Sequence, residues 1–297
     1  MVESGQADEA PGIAAVGFRN PDRSRLGLEV VRYSQLTGRV SDETRTRSHR
    51  PDFHLLVLTT AGTAQVTVDF VSRPCAPGTL LHIRPGQVHR LFHPSVDGME
   101  ADLVLFTAAF PPRLDRIAPL LSHLPGPVAR QLADDEYAGI ARTMDDLATE
   151  YRRATAGPGA PGAAADLLRL LLATLLVRMT LLPGDTGPAA SNDLFRRFRH
   201  ELDRSYATTR GAADYAARVG CSPRTLNRAC QEATGRTAKA LIDAQVALEA
   251  KRLLAHTDLP VATVSRRLGF SEPTNFGKFF VRETGSTPGA FRAQEQG

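Results

Sequence analysis

Cysteine is scarce in this chain and badly placed for bridging: Cys75, Cys221 and Cys230 stand far apart, with no C-x-x-C spacing. A disulfide framework and a cysteine zinc cluster are therefore excluded as organising devices, and three reduced thiols are expected. Long uninterrupted apolar runs are lacking too. The most apolar stretch, LLRLLLATLLVRMTLL, contains Arg169 and Arg178 and follows Asp166, which makes it too short and too charged to span a bilayer. The first residues, MVESGQADEAPG, are acidic and contain Gly and Pro where a secretory signal would run from basic to apolar. A cytoplasmic protein without membrane association is the expectation.

What is present is length and an uneven charge. The 297 residues are about twice a typical single domain, so two domains, each with a real core, are expected. The formal charge of +4 is not spread evenly. From Ser191 onward there are 17 Lys and Arg against 11 Asp and Glu, so the last third carries +6 and the rest −2. A polyanion partner would dock there.

Residues 1–25 read as a loose tail. Leu28–Leu36, Phe53–Thr60, Thr63–Val71, Leu80–Ile83, Val88–Phe92 and Glu100–Phe106 are rich in Val, Leu, Phe and Thr. Gly and Pro punctuate them at Ala61-Gly62, Pro77-Gly78, Pro85-Gly86 and Asp97-Gly98. Short strands at this spacing predict a β-sandwich or small barrel. Helical patterns follow at Arg113–Leu121, Ala133–Arg153 and, after the breaker TAGPGAPGA, Ala164–Leu182. The turn-forming segment PGDTGPAAS, 183–191, marks a linker between a domain over 26–182 and one over 192–297. Beyond it only helices are expected: Leu194–Ser205, Gly211–Val219, Pro223–Thr234, Ala238–His256, Val261–Leu268 and Glu272–Thr284.

Within this C-terminal third a single unit occurs twice, as AADYAARVG-CS-PRTLNRACQEATG and VATVSRRLG-FS-EPTNFGKFFVRETG. In the first copy Ala212, Tyr215, Ala216 and Val219 face a stripe of Leu226, Ala229, Cys230 and Ala233. Gly220 suits a sharp turn, and Ser222-Pro223 reads as a cap followed by an N1 proline. The second copy sets Val261, Val264 and Leu268 against Phe276, Phe279 and Phe280, with Gly269 turning and Ser271 available to cap; small Ala216 and Ser265 permit close crossing. The second helix of such a pair can enter a major groove. Away from the core stripe it offers Arg224, Asn227, Arg228 and Gln231, whose side chains suit guanine and adenine edges. The second copy offers Thr274, Asn275 and Lys278, a set better suited to phosphate and shape contacts. Two helical hairpins with solvated arginines are the plain alternative, and the doubling around one long helix weighs against it.

The words SPRTLNRACQEATG, LEAKRLLAHTDLPVATVSRRLGF and SEPTNFGKFFVRETGSTPGAFR resemble the DNA-binding domain of the AraC/XylS family over residues 191–297. The resemblance implies that Ala238–His256 joins two motifs presented to successive major-groove segments of double-stranded DNA. Groove contacts would come from Arg224, Asn227 and Arg228 around Leu226, and from Thr274, Gly277 and Lys278 around Phe276. Cys230 stands where the family usually has Phe, and Gln245 where it often has Arg.

Residues 48–92 resemble the cupin-like sensor domain of the same family. The resulting expectation is an α+β chain: an N-terminal cupin-like β-barrel with appended helices, then an all-α domain of two helix-turn-helix motifs. His49, His54, Arg84 and His89 are candidates for lining an effector cavity; His82 and His93 read as surface or rim residues. No catalytic residue, metal or cofactor is assigned, because a metal cupin would need a close H-x-H pair and a following Glu that LLVLTTAG lacks. The Leu-rich helix Leu167–Leu182 is expected to pack on the barrel and to form a homodimer contact. The implied function is a sequence-specific transcription regulator, an activator, working with RNA polymerase. A cupin enzyme with an accessory DNA-binding tail and a constitutive regulator whose barrel only dimerises are the rival readings.

Overall fold

In residues 54–61, HLLVLTTA, six consecutive side chains are buried, which a strand with one wet face cannot achieve. The computed structural model of the chain explains the run by covering that strand on both sides. It describes residues 14–22, 26–39, 48–90, 98–114, 117, 128–156, 161–183 and 193–296. Two compact units are formed, one centred on Ile13–Asp185 and one on Thr186–Gly297. The expected linker 183–191 falls largely outside the described residues, as do His93 and most of the helix expected at Arg113–Leu121; of the tail expected to be loose over 1–25, residues 14–22 are described and instead carry a strand paired to His49–Pro51 and the buried Asn20.

The first unit contains strands β1 (Ala14–Val16), β2 (Leu28–Arg32), β3 (His49–Pro51), β4 (His54–Ala61), β5 (Ala64–Val68), β6 (Val71–Cys75), β7 (Thr79–Ile83), β8 (His89–Arg90), β9 (Glu100–Phe106) and β10 (Ala129–Gln131). Helix α1 (Tyr33–Thr37) follows β2, and helices α2 (Asp134–Ala156) and α3 (Pro161–Thr180) end the unit. The strands form two five-stranded sheets, ordered β1-β3-β8-β5-β6 and β10-β7-β4-β9-β2. The β-fold with appended helices is the expected one, built as two stacked sheets and not as a closed ring.

Alternation along the strands sorts the core into two layers. Leu55, Val57, Leu81, Ile83, Leu103 and Leu105 point from the second sheet toward Ala64, Val66, Val68 and Cys75 of the first. Leu56, Leu58, Leu80, Val104 and Phe106 point the other way, onto Ile140, Met144 and Leu147 of α2 and Leu168, Leu172, Leu175 and Leu176 of α3. Each fully buried leucine contributes about 2 kcal/mol, so the doubly covered central strand is the mechanical heart of this unit. Helix α1 replaces the end of the strand expected over Leu28–Leu36: Gln35 Oε1 accepts the Arg32 N–H at 3.2 Å and closes the first turn. The strand expected over Thr63–Val71 is instead a hairpin, turning through Asp69 and Phe70, both with positive φ.

The second unit is helical: α4 (Asp193–Ser205), α5 (Ala212–Arg218), α6 (Pro223–Thr234), α7 (Ala238–His256), α8 (Val261–Arg267), α9 (Pro273–Thr284) and α10 (Pro288–Gln296). Phe195, Phe198, Leu202, Tyr215, Leu226, Cys230, Leu241 and Ile242 form the core of the first motif. The second is aromatic, with Phe276 against Phe270 at 5.3 Å and against Phe280 at 5.8 Å, and Phe280 against Phe291 at 5.6 Å. Helix α7 has buried positions all round, from Leu241 and Ile242 to Leu254 and Ala255, because it is enclosed by both motifs. Helix α10 lies beyond the expected set, although Thr287-Pro288 repeats the cap-and-proline signal of Ser222-Pro223: Thr287 Oγ1 accepts the Ala290 N–H at 3.2 Å. Its Arg292 donates to the Leu254 and Leu259 carbonyls and so closes the end of α7.

Candidate nucleic-acid interface

Helix α6 is fixed at both ends by its own sequence. Ser222 Oγ accepts the Thr225 N–H at 3.1 Å, Pro223 occupies the first turn, and Gly235 ends the helix in the left-handed region at φ 67°. Leu226, Ala229 and Cys230 are buried beneath it, which leaves Arg224, Arg228 and Gln231 exposed in a row on the opposite side. Among the described residues Arg228 makes a long 3.8 Å ion pair to Glu232, both largely solvated, so its guanidinium is available to a ligand at little cost.

Asn227 is different. Its Oδ1 accepts the Ala238 N–H at 2.9 Å, satisfying an otherwise open donor in the first turn of α7. A bidentate adenine pair needs both ends of the carboxamide, and here one end is committed to the joint between α6 and α7. The sequence pattern places Asn227 on the reading face; the structure gives it a structural bond there.

Helix α9 repeats the arrangement with Phe276, Phe279 and Phe280 buried and Thr274, Asn275 and Lys278 exposed. Gly285 ends it at φ 79°. The expected Ser271 cap is not made: Glu272 takes the N-cap position, without a side-chain cap bond, ahead of Pro273. The turns that aim the two helices match closely. Gly220 and Gly269 have φ of 70° and 73°, and each turn is closed by the same backbone bond, Cys221 N–H to the Ala216 carbonyl at 2.9 Å and Phe270 N–H to the Ser265 carbonyl at 3.0 Å.

In the first unit the four candidate effector residues do not converge. His49 and His89 oppose each other across β3 and β8 with ring centroids 6.1 Å apart, and His89 in turn opposes Val68, whose side chain faces the inter-sheet core. His54 lies on the other face of the second sheet, stacked on Phe106 at 4.9 Å. His82, expected at a rim, is buried beside it, with His54 Nδ1 and His82 Nε2 3.1 Å apart. Arg84 is buried just beyond β7. Burial pushes the imidazole of His89 down to about 3, helped by the charge of His49, and burial, then Arg84 and His54, pushes that of His82 well below its ordinary value.

A separate cleft opens beside β2, bordered by Phe18, Arg19, Glu29, Leu36, Arg39 and Phe53 and by none of those four residues. Asp52 holds its outer wall by accepting the Phe18 N–H at 2.8 Å. Glu29 is buried within it and paired with Arg39 at 2.9 Å; desolvation raises its carboxyl pKa while Arg39 opposes the rise. Glu29 on β2 and Arg39 in the turn after α1 are ten residues apart, and no spacing rule would have joined them. Among the described residues no group of three or more His, Cys, Asp or Glu is arranged to hold a metal, and no helix is long and apolar enough to cross a membrane.

Comparison with known proteins matches both units. A family model described as an AraC-like ligand binding domain fits residues 36–172, and one described as a helix-turn-helix domain fits residues 215–294. The chain belongs to the AraC family. It is a DNA-binding transcription regulator of that type, with a ligand-binding-type domain first. The HTH-type transcriptional activator RhaS of Salmonella typhimurium is 26% identical over 248 residues, covering 81% of this chain and 85% of that protein. The arabinose operon regulatory protein of Escherichia coli is 31% identical over 126 residues, 42% of this chain and 43% of that one. Among solved structures, ToxT of Vibrio cholerae covers 81% of this chain and 87% of its own at 10% identity, with a TM-score of 0.41.

Two departures from the AraC pattern have a physical place in the fold. Cys230, at the usual Phe position, is fully buried in the first motif's core, where burial pushes its thiol up to about 12 and keeps it neutral. Gln245 is half-buried on α7. The first motif of this AraC-type domain therefore has a smaller central side chain than the second, whose core is built from phenylalanines.

Proposed function

We propose that residues 192–297 read a specific DNA sequence through α6 and α9, and that the domain over 26–182 senses a small molecule, dimerises, or does both. The observation that carries the reading is the exposed row Arg224, Arg228 and Gln231 on a capped helix with its opposite face locked into a core, repeated by Thr274, Asn275 and Lys278 on α9. Arg224 and Arg228 supply guanine-type recognition, Gln231 adenine-type, and Lys278 a phosphate contact; Asn227 contributes chiefly by fixing α6 to α7. The first domain offers the Glu29–Arg39 cleft as the effector pocket. Exposed Leu167, Leu170 and Leu181, at and after α3, support a homodimer contact. Activation through RNA polymerase, in the cytoplasm and without catalysis, completes the reading, since RhaS is named an activator.

Purified protein is incubated with a pool of genomic fragments at two salt concentrations, the retained DNA is sequenced, and the selection is repeated with Arg224→Ala. A shared motif that is steeply salt-sensitive and relaxed at one position in the variant is the expected result. Retention of unrelated sequences, identical for both proteins, refutes specific readout by α6.

A further inference from the structure

Two helix-turn-helix motifs can read DNA together only if their separation and rotation match the duplex. One base pair more or less between two sites shifts them by about 3.4 Å and rotates them by about 34°. A joint between the motifs that is held rigidly therefore acts as a ruler. Helix α7 is one such joint, but a single helix leaves each motif free to rock about it.

A second connection runs through the loop between α4 and α5. The buried Tyr215 of the first motif donates its hydroxyl to the Thr209 carbonyl at 3.1 Å, and Thr209 Oγ1 bonds Asp214 at 2.6 Å. The loop is thereby fastened to the first motif. The next residue, Arg210, reaches the second: its guanidinium donates to the Gly269 carbonyl and lies 3.5 Å from the centroid of the Phe270 ring. Phe270 in turn packs on Phe276 and Phe279 of α9 at 5.3 and 5.2 Å. The backbone closes the same gap, since a β-carbon on Gly269 would stand 2.2 Å from the Ala207 carbonyl oxygen. Beside it, Arg282 of α9 donates to Asp243 of α7 at 3.1 Å, and Asp243 also pairs with Lys239 and interacts electrostatically with Arg210.

We propose that Arg210 is a positioning residue that sets the distance and phase between the two recognition helices, and so dictates the spacing of the two DNA segments this protein accepts. The path is continuous: Tyr215 holds Thr209, Arg210 grips the turn at Gly269 and Phe270, and Phe270 seats α9. Arginine is required because one planar group must both stack on a ring and donate in its own plane to a carbonyl, and lysine offers only a point charge. The proposal rests on the reading that both α6 and α9 contact DNA.

The test is selection from a random-sequence duplex library with the full-length protein, Arg210→Ala, Arg210→Lys and Phe270→Leu, each shown by its melting transition to be folded. Wild-type protein selects two short conserved boxes at one spacing, preferred about tenfold over spacings one base pair longer or shorter. Arg210→Ala selects the same two boxes with that preference reduced to about twofold, and Arg210→Lys does not restore it. Phe270→Leu, which keeps an apolar side chain but removes the ring, gives the same broadening and stands in should Arg210→Ala fail to fold. Variants that select both boxes at the wild-type spacing with undiminished preference overturn the proposal. A wild-type selection containing only one box overturns it together with the two-motif reading beneath it.

Discussion

His54 and His82 meet ring to ring beneath the helices of the first unit, Nδ1 to Nε2 at 3.1 Å, while His49 and His89 face the inter-sheet core on the other side of the same central sheet. A ring-to-ring hydrogen bond needs one donor and one acceptor, which two neutral imidazoles supply and two imidazolium ions cannot. Of these four histidines, His82 and His89 are buried and resist protonation.

Acid is therefore expected to weaken the first unit. His89 is held near 3 in the folded state against about 6.5 in an unfolded chain, so between those values the unfolded chain takes up a proton that the folded one refuses. Above pH 6.5 this residue makes no pH-dependent contribution. As pH falls below 6.5 stability drops, by at most about 1.4 kcal/mol per pH unit, and His82 acts in the same direction. Urea midpoints at pH 7.5, 6.0 and 5.0 for wild type and His89→Gln measure it; an equally steep acid loss in the variant would contradict the assignment.

The two turn glycines separate conformational freedom from space. Nothing lies within 4 Å of a β-carbon built on Gly220, so Gly220→Ala bears only the cost of a positive φ, about 1 kcal/mol. Gly269→Ala bears that cost and also drives a methyl into the Ala207 carbonyl oxygen. Melting curves should show a shift of several degrees for the first and a much larger loss for the second. Equal shifts would show that the close approach at Gly269 is not maintained in solution.

Ser265 is fully buried on α8, and its hydroxyl oxygen has no hydrogen-bond partner among the described residues. Replacing it with alanine removes a desolvated polar group from a helix crossing that needs a small side chain. Ser265→Ala should raise stability by about 1 kcal/mol, readable as a higher denaturant midpoint with an unchanged slope. A lower midpoint would mean that the hydroxyl is satisfied by water.

Asn227 and Arg224 are neighbours on α6 with opposite expected phenotypes. Asn227→Ala leaves the Ala238 N–H unpaired and should cost about 1 kcal/mol of stability with the sequence preference preserved. Arg224→Ala touches only an exposed side chain, so its melting temperature should stay at the wild-type value while discrimination at one base position falls by about 1–3 kcal/mol. Measuring melting and selected sequence for both variants separates the roles. Loss of preference at an adenine position in a stable Asn227→Ala protein would return Asn227 to the reading face.

Local information carried much of the second unit. The helix periods, the glycine turns and the Ser222-Pro223 start are near-neighbour effects, and α6 and α7 begin and end where the pattern predicts, at Pro223–Thr234 and Ala238–His256. The alternation and punctuation of 53–106 likewise announced a β-domain, and the repeat announced two motifs. Local signals also misplaced some details: the hairpin at Asp69-Phe70 lacks a glycine, and Thr287-Pro288 was a readable start for α10. What only the tertiary structure decided is which side chains meet. The four candidate effector residues share the strand-forming segment 48–92, yet His49 on β3 and His54 on β4 belong to different sheets and face different sides of the central one. Glu29 with Arg39, Asn227 with Ala238 and Arg210 with Phe270 are brought together by chain reversals between elements. No periodicity records such a meeting, because a side chain's direction is set locally while its partner is set by how the elements pack.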